Sequence, residues 1–425
     1  MKQLIPFGWS FFFLLLSIPS YGAERGSILV GCPLPLDASY GQNGLRGATL
    51  AVEQINAAGG VVLNGLHLPI KLEVLDTGDL DPNVSESEAM AGIERLITEK
   101  KVDVLVGGPA RSEYGVAAMD VIARHDVVHL AAVGCYTPTW DMKKFASDPK
   151  KYRRSFRMSG SIAWYIDETK GLLVHLKKEY GYKKMFILTQ DVLMCRDAAE
   201  LVKKAAVENG WEIVGQESNP TETTDFSASL TKCKRSGAQV LFLWSYSPNT
   251  AFLFEQWRTM EIPALPLGFV EAAEDPDFWN TTNGKCAYSV ITLSEAGTSP
   301  SDVTPLSRKF YQAYEKRWKT PPRSTGSAAA YEAVFAIKDA VERAGTLETD
   351  SLIEALEQTD LQVVRGRLRF DQNHQSVFGY DPNTAVLGNW AQWQDGQRVT
   401  VWPLAARTGK LKMPPWLQWW WLKTR

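Results

Sequence analysis

The chain contains 425 residues, of which 45% are hydrophobic and 22% are charged, and its formal net charge at pH 7 is −2. A single hydrophobic core rarely serves more than about 250–300 residues, so the length predicts two domains. The near-neutral charge balance lacks the basic excess that is typical of nucleic-acid-binding proteins, and we expect no nucleic-acid partner.

The N-terminus has the three-part pattern of a secretory signal peptide. Lys2 precedes the apolar run 7–18, and small residues follow between Pro19 and Ala23. The run is shorter than the ~20 apolar residues that span a bilayer, and no later segment offers such a run. We therefore expect residues 1–22 to form a signal peptide, cleaved after Gly22 or Ala23, and the mature chain to be a soluble protein of the periplasm.

Five cysteines would remain after cleavage. They are Cys32, Cys135, Cys195, Cys233 and Cys286. None forms a C-x-x-C pair, so their spacing supports neither a zinc site nor a thioredoxin-like site. An odd number of cysteines in an oxidising compartment leaves at least one thiol without an intramolecular partner, and the sequence leaves the pairing open.

Residues 29–32 read LVGC and allow two interpretations of Cys32. They could be a lipoprotein box that ends in a lipidated cysteine, or the first buried strand of a folded domain. Glu24 and Arg25 separate this stretch from the apolar signal segment, which a lipid attachment site should follow closely. We therefore predict that Cys32 ends a strand, ahead of a loop at residues 33–43.

The rest of the chain alternates short apolar segments with segments of helical periodicity. In the first half, strands are predicted at 27–32, 70–74, 102–106 and 127–133, and helices at 45–55, 85–100 and 112–124. The pattern restarts with strands at 184–189, 212–216 and 240–244 and helices at 197–209, 226–235 and 249–260. Helices at 305–318 and 328–344 precede strand-like segments at 366–370 and 390–393. Such alternation indicates parallel sheets covered by helices, arranged in two α/β lobes.

Five segments, in this order, resemble the periplasmic binding proteins of branched-chain amino acid and amide ABC transporters, the type I, Leu/Ile/Val-binding family. They are ASYGQNGLRGATLAVEQINAAGGV, VDVLVGGPARSEYGVAA, TDFSASLTKCKRSGAQVLFLWSY, GSAAAYEAVFAIKDAVERAG and WQDGQRVTVWP. The resemblance covers residues 27–403. It implies an α/β fold of two Rossmann-like lobes, a Venus-flytrap, with parallel sheets joined by three crossings and a ligand enclosed by hinge closure.

The resemblance also suggests the domain boundaries. Lobe 1 is expected to comprise residues 24–148 and 296–362, and lobe 2 residues 149–295 and 363–405. Residues 406–425 would then form a Trp-rich C-terminal tail that ends in WLQWWWLKTR. Its rings could contact a membrane interface or a partner, or pack back on a lobe, and packing on a lobe is the preferred interpretation.

In lobe 1 the resemblance implies ligand contacts from three loops. Tyr40 would line the mouth of the cleft, and Arg111 and Ser112 stand where the family places a carboxylate-binding serine. Ser112 is equally suited to be the N-cap of the following helix. The third loop contributes Val133, Gly134, Cys135 and Tyr136. Its cysteine and tyrosine replace a small residue and a threonine that are common in the family, which weakens the expected grip on an α-amino acid.

In lobe 2 the resemblance implies contacts from Tyr246, after strand 240–244, and from Glu271, near a carboxylate that receives the ligand ammonium. A solvated Glu271 is the alternative. Trp164 and Tyr165 are expected in a loop just inside the lobe. With Tyr136, Trp140 and Trp244 they could form an aromatic wall, although core packing is the more frequent role of a strand tryptophan such as Trp244.

The function that the resemblance implies is capture of a small organic ligand by a monomer without a cofactor, and delivery to an ABC transporter permease. The departures from the family pattern favour a ligand larger or more apolar than leucine, and an aromatic compound is one such ligand. A sensor that reports to a membrane receptor is the alternative. An enzyme is not expected, because H-E-x-x-H, G-x-S-x-G and P-loop motifs are missing and Asp79 and Asp81 fall in a polar loop, where solvation or turn formation is usual.

Overall fold

The computed structural model describes residues 26–417, so the predicted signal peptide lies outside the described residues. The strands are β1 Ile28–Leu34, β2 Val61–Leu63, β3 Leu66–Leu68, β4 Ile70–Asp76, β5 Val104–Gly107, β6 Val128–Ala131, β7 Ser155–Arg157, β8 Lys184–Gln190, β9 Glu212–Asn219, β10 Val240–Ser245, β11 Leu265–Val270, β12 Val290–Leu293, β13 Leu361–Val363, β14 Gly366–Leu368, β15 Asn389–Gln394 and β16 Gln397–Trp402. The helices are α1 Ser39–Ala57, α2 Glu86–Thr98, α3 Ser112–Ile122, α4 Pro149–Tyr152, α5 Ile162–Tyr180, α6 Leu193–Glu208, α7 Ser227–Ser236, α8 Thr250–Thr259, α9 Phe278–Thr281, α10 Pro305–Trp318, α11 Ser327–Ala344 and α12 Thr349–Glu357.

The first lobe is built on a parallel sheet in the order β4-β1-β5-β6-β7. Strand β1 is an almost wholly buried apolar run, as expected for a parallel strand covered on both faces. Cys32 lies inside β1, opposite Val74 of β4, and is fully buried. The strand prediction for Cys32 therefore agrees with the structure, but β1 continues past Cys32 to Leu34, and α1 begins at Ser39 within the loop predicted at 33–43.

The second lobe is built on a seven-stranded sheet in the order β16-β15-β12-β11-β10-β8-β9. The pairs among β8 to β12 are parallel, whereas β15 pairs antiparallel with β12 and with β16. The antiparallel hairpin follows from its turn, because Asp395 and Gly396 both have positive φ, at 51° and 84°. The sheet is thus mixed at one edge rather than parallel throughout.

The chain passes between the two sheets three times within residues 26–417, near 158–162, 294–304 and 386–389. Strand β7 pairs with β6 in the first sheet, and Val364, Leu368 and Val386 pack in the first core. Residues 149–158 and 363–386, which the sequence assigns to lobe 2, therefore lie with lobe 1.

Two local expectations are wrong. Trp164 and Tyr165 lie in the first turn of α5 rather than in a loop. Ser112 is the first residue of α3, whose N-cap is Arg111, so Ser112 does not cap the helix.

The described part of the C-terminal tail packs on lobe 2. The Trp416 ring lies 5.3 Å from Trp257 of α8, and Leu417 is fully buried. Residues 418–425, with the three consecutive tryptophans, lie outside the described residues. All five cysteines are buried and unpaired. Over residues 26–417, none of the helices has the length and apolar character required to cross a bilayer.

Candidate functional site: the cleft between the lobes

A cavity of about 320 Å³ lies between the lobes. Lobe 1 lines it with Ala38, Ser39, Tyr40, Leu80, Ala110, Ser112 and Tyr136, and lobe 2 with Met194, Tyr246 and Glu271. Each residue stands just beyond the carboxyl end of a strand: β1, β4, β5 and β6 in the first sheet, and β8, β10 and β11 in the second. Open α/β sheets bind ligands at this edge, so both lobes present their usual binding edge to one space.

A second cavity, of about 350 Å³, continues the cleft and shares Tyr246 and Glu271 with the first. Its other lining residues are Pro248, Ala272, Asp275, Phe278, Thr281 and Arg323. Arg323 forms an ion pair of 3.1 Å with Asp275. The cleft therefore has an aromatic part between the lobes and a charged part that opens along lobe 2.

Five of the ten residues predicted to bind ligand line the first cavity together: Tyr40, Ser112, Tyr136, Tyr246 and Glu271. They come from both lobes, and each follows its strand as the resemblance implies. The structure thus brings these five side chains to one place.

Three predicted residues of lobe 1 support the cleft wall from behind. Val133 is fully buried in the lobe 1 core. Gly134 has φ +66° and its backbone lies against Ala110, where an added Cβ would stand 2.3 Å from the Ala110 oxygen. Cys135 packs its thiol under α3, 2.4 Å from where a Cβ on Gly115 would stand. These residues turn the chain so that Tyr136 reaches the cavity.

Two other predicted residues point elsewhere. The Arg111 guanidinium lies 4.9 Å from the centroid of the Tyr114 ring and 3.7 Å from Glu113, on the outer side of α3. The Trp164 ring packs on Phe378 and Tyr380 near the third crossing. Neither side chain lines the two cavities.

Aromatic rings form a continuous contact path beneath the cleft. Tyr136 contacts Tyr165 at 5.5 Å between centroids, Tyr165 contacts Trp244 at 6.5 Å, Trp244 contacts Phe269 at 5.4 Å, and Phe269 contacts Tyr246 at 5.1 Å. Only the two ends of the path, Tyr136 and Tyr246, line the cavity. Trp244 itself is buried in the lobe 2 core, the alternative that strand position favours.

Trp140 also takes no part in this wall. It is buried in lobe 1, where the Arg157 guanidinium lies 5.0 Å from its ring centroid. The predicted aromatic wall is therefore made by tyrosines at its surface, with Trp244 and Phe269 behind them.

Two carboxylates stand on one short 3₁₀ turn, Glu271–Glu274, which directly follows β11. Side chains three residues apart eclipse each other in a 3₁₀ helix, so Glu274 stacks behind Glu271. Glu274 is 3% exposed, and its Oε1 is buried without a hydrogen-bond partner. Burial raises the pKa of Glu274 to about 8, with the Glu271 charge adding to the shift and Arg323 and Arg398 opposing it.

The tyrosine hydroxyls of the cleft remain protonated over the whole physiological range. Burial raises the pKa of Tyr40 well above its usual value, and the charge of Glu271 adds to this shift. Burial likewise raises the pKa of Tyr136 and Tyr246, and Glu274 contributes to both shifts. The Glu274 carboxylate therefore lies within electrostatic reach of all three rings.

Asp79 is fully buried beside the cleft, so of its two expected roles, solvation and turn formation, solvation is wrong. Its Oδ2 accepts a 2.7 Å hydrogen bond from the backbone N–H of Arg111, and its Oδ1 accepts one from the Thr77 hydroxyl. Burial raises its pKa, and these hydrogen bonds oppose the shift. A carboxylate of the protein thus occupies the N-terminus of α3, where anions are favoured.

Sequence reasoning missed Leu80, Met194 and Glu274. Met194 and Leu80 follow β8 and β4, so their place after a predicted strand was a usable signal. Glu274 gave a weaker signal, its spacing of three from Glu271, because only the 3₁₀ turn places the two carboxylates on one face. Across residues 26–417, His, Cys, Asp and Glu side chains form no group of three that could hold a metal ion.

Comparison with known proteins agrees with this architecture. Residues 35–381 match a family model described as periplasmic binding protein. A Leu/Ile/Val-binding protein homolog 7 of Brucella suis is 27% identical over 393 residues, which cover 89% of this chain and 91% of that protein.

Two solved structures have a similar fold. A putative branched-chain amino acid ABC transporter protein from Silicibacter pomeroyi has a TM-score of 0.80 at 22% identity, covering 92% of this chain and all of that chain. An ABC transporter solute-binding protein from R. palustris in complex with 4-hydroxybenzoate has a TM-score of 0.66 at 18% identity, covering 88% and 95% of the two chains.

Proposed function

The chain belongs to the periplasmic binding protein family, and we propose that it captures a small organic ligand in the interlobe cleft and delivers it to an ABC transporter permease. The observation that carries this proposal is the cavity of about 320 Å³ whose lining comes from the strand ends of both lobes. Such a space closes around a ligand when the crossings bend, and the closed form gives the permease a surface that the ligand-free protein lacks.

The cleft lining favours a ligand with an apolar or aromatic body. Tyr40, Tyr136 and Tyr246 surround the cavity together with Leu80 and Met194. One charge-assisted hydrogen bond contributes about 1.5–3 kcal/mol, whereas micromolar binding requires about 8 kcal/mol. Most of the affinity must therefore come from the ligand surface that the rings remove from water.

Export is part of the same proposal. Residues 1–22 would direct the chain to the periplasm and be removed after Gly22 or Ala23. N-terminal sequencing of the protein isolated from the periplasm tests this step, and a mature N-terminus at Cys32 would contradict it in favour of lipidation.

The decisive experiment is a ligand screen on protein freed of any bound compound. The mature protein is unfolded, dialysed, refolded and screened against small metabolites by thermal shift. A ligand at a hundred times its Kd stabilises the folded state by about 2.7 kcal/mol, which is readily detected.

Two variants locate the binding site. Tyr246→Ala should abolish the shift produced by a ligand, whereas Tyr180→Ala, a partly exposed tyrosine at the end of α5, should leave it unchanged. A ligand whose shift survives Tyr246→Ala would bind outside the cleft and contradict the proposal. Stimulation of the ATPase of the reconstituted transporter by the loaded protein tests delivery.

A further inference from the structure

The charge balance of the cleft points to the class of ligand. Glu271 lines both cavities, and Glu274 stands behind it on the same turn with one carboxylate oxygen buried and unpartnered. A carboxylate buried without a partner is strongly disfavoured, so Glu274, which lies behind the cavity lining, holds a proton in the ligand-free protein, and a cation bound at Glu271 would favour its ionised form.

Arg323 and Arg398 act on Glu274 through their charge, but neither forms an ion pair or a hydrogen bond with its side chain. Arg323 forms an ion pair with Asp275, with 3.1 Å between the guanidinium nitrogen and the carboxylate oxygen. Arg398 donates its hydrogen bonds to the backbone oxygens of Glu274, Thr298 and Pro322, and none to a carboxylate. Glu295, the other carboxylate nearby, accepts hydrogen bonds from the backbone N–H groups of Gly326 and Ala328.

The opposite wall of the cleft already contains its anion. Asp79 accepts the Arg111 N–H at the N-terminus of α3, next to the cavity-lining Ser112. A ligand carboxylate in this position would lie against the Asp79 carboxylate, and like charges at such a distance repel. The first cavity therefore presents the Glu271 carboxylate and has no lysine or arginine in its lining, whereas Arg323 of the second cavity is paired with Asp275.

The aromatic rings of the cleft are also suited to a cationic ligand. Tyr40, Tyr136 and Tyr246 line the cavity that Glu271 enters. Faces of tyrosine rings attract ammonium and related cations, and the attraction increases when the site excludes water. A cage of rings with a carboxylate on one side is suited to a substituted ammonium, amidinium or guanidinium group.

We propose that the cleft selects an amine rather than an amino acid: a ligand with a cationic nitrogen group and no carboxylate, whose charge is neutralised by Glu271 and Glu274. This inference rests on the proposed function, because it assumes that the cleft is where ligand binds. Asp79 accepts an N–H at the start of α3 that would otherwise be available to a ligand carboxylate, so the cleft disfavours zwitterionic and acidic relatives of its ligand.

The test uses two matched sets of compounds on the refolded, ligand-free protein. One set is 2-phenylethylamine, phenylalanine and 3-phenylpropionate, and the other is 3-methylbutylamine, leucine and 4-methylpentanoate. Within each set the apolar body is shared and only the charged groups differ. In at least one set we expect calorimetry to show the amine binding about tenfold or more tightly than the amino acid and the acid, the factor of a single charge-assisted hydrogen bond.

Three variants assign the effect to named residues. Glu271→Gln and Glu274→Gln should each weaken amine binding about tenfold, while Glu222→Gln, on an exposed loop, should not change it. Asp79→Asn removes the built-in anion, and it should shift the preference toward the amino acid by about tenfold. Each variant is compared with wild type only if its ligand-free Tm shows that it is folded. The ranking of amine, amino acid and acid in the wild-type protein tests the inference even if a variant does not fold.

Every other ranking overturns the inference. Tighter binding of an acid or an amino acid in wild type would show that a ligand carboxylate is accepted, and it would leave the proposed function intact. The absence of binding by both amines would also overturn the inference. The proposed function itself fails only if no compound of any charge class in the metabolite screen binds in the cleft.

Discussion

Arg365 and Glu332 form an ion pair that is removed from solvent inside lobe 1. The Nε of Arg365 donates to a Glu332 carboxylate oxygen at 2.8 Å, its backbone N–H donates to the other at 2.7 Å, and the two side chains are 0% and 1% exposed. The guanidinium also donates to the Met158 oxygen at 3.1 Å. The pair thus joins α11 to the crossing that leaves lobe 1.

Breaking this pair should strongly destabilise the protein. Glu332→Gln leaves the buried guanidinium without its counter-charge, and we expect the free energy of unfolding to fall by about 3–5 kcal/mol in urea titrations. Glu53→Gln is the matched control, because Glu53 pairs with Arg317 at 3.0 Å on the surface, where such pairs contribute about 1 kcal/mol or less. Equal losses in the two variants would contradict the assigned role.

Stability should fall with increasing pH because of Glu168. Burial raises the pKa of this carboxyl to about 8, with the Thr292 hydroxyl opposing the shift, whereas the unfolded chain titrates near pH 4.3. Between these values the folded state holds more protons than the unfolded state, so stability is full below the lower pKa and is lost as the pH rises through the higher one.

Glu168→Gln should therefore flatten the dependence of Tm on pH between pH 5 and 9 and leave the variant more stable than wild type at pH 9. Exposed Glu222→Gln should reproduce the wild-type curve. An unchanged curve for the Glu168 variant would show that this carboxyl is ionised in the folded protein at neutral pH.

Binding of an amine should release protons. Burial and the neighbouring Glu271 charge raise the pKa of Glu274 to about 8, so the ligand-free protein holds a proton there at pH 7. A cation stabilises the ionised form and expels that proton. Calorimetry at pH 7 in phosphate and in Tris should therefore give different binding heats, and the difference should disappear above about pH 9 and in Glu274→Gln. Identical binding heats in phosphate and in Tris at pH 7 would contradict the predicted release of protons.

The start of the C-terminal tail should contribute to folding. Trp416 donates its indole N–H to the Ile262 oxygen at 3.0 Å, Arg258 lies 4.5 Å from its ring centroid, and Leu417 is fully buried. Truncation after Lys412 should lower the free energy of unfolding by roughly 2–4 kcal/mol, since burial of each large apolar side chain contributes about 1.5–3 kcal/mol. Truncation after Gln418 keeps both residues and should leave the Tm within error of wild type. An equal fall in Tm in both truncations would contradict the role assigned to Trp416 and Leu417, because the stabilisation would then depend on residues 419–425.

Helices α1 and α11 meet at Gly47, where a Cβ atom would stand 2.1 Å from the backbone oxygen of Ser327. Gly47→Ala should force the helices apart and lower the free energy of unfolding by about 1–3 kcal/mol. Gly160→Ala is the control, because its Cβ would find neighbours only at 3.4 Å or more. A Gly47 variant as stable as the control would show that the helices separate without loss.

Much of the fold followed from local patterns. The helix predicted at 305–318 has those bounds in the structure, and β10, α8 and α11 differ little from their predicted limits. These segments have strong periodicity or clear termination signals, such as Gly345 in the left-handed conformation after α11. Short elements such as β7 lack these signals, and the strand was found only by its pairing with β6.

The sequence by itself determined the two α/β units and the strand that contains Cys32, because hydrophobic period and strand ends are local properties. The family resemblance added Tyr40, Ser112, Tyr136, Tyr246 and Glu271, of which Tyr40 and Ser112 lie in the first turns of α1 and α3. The tertiary structure decided which side chains reach the cleft, since the direction of a side chain depends on backbone turns and on packing across lobes. It alone placed Glu274 behind Glu271 and buried Asp79 against the N-terminus of α3. The charge of the cleft depends on contacts between residues that are far apart in the chain, and a local sequence pattern does not indicate such contacts.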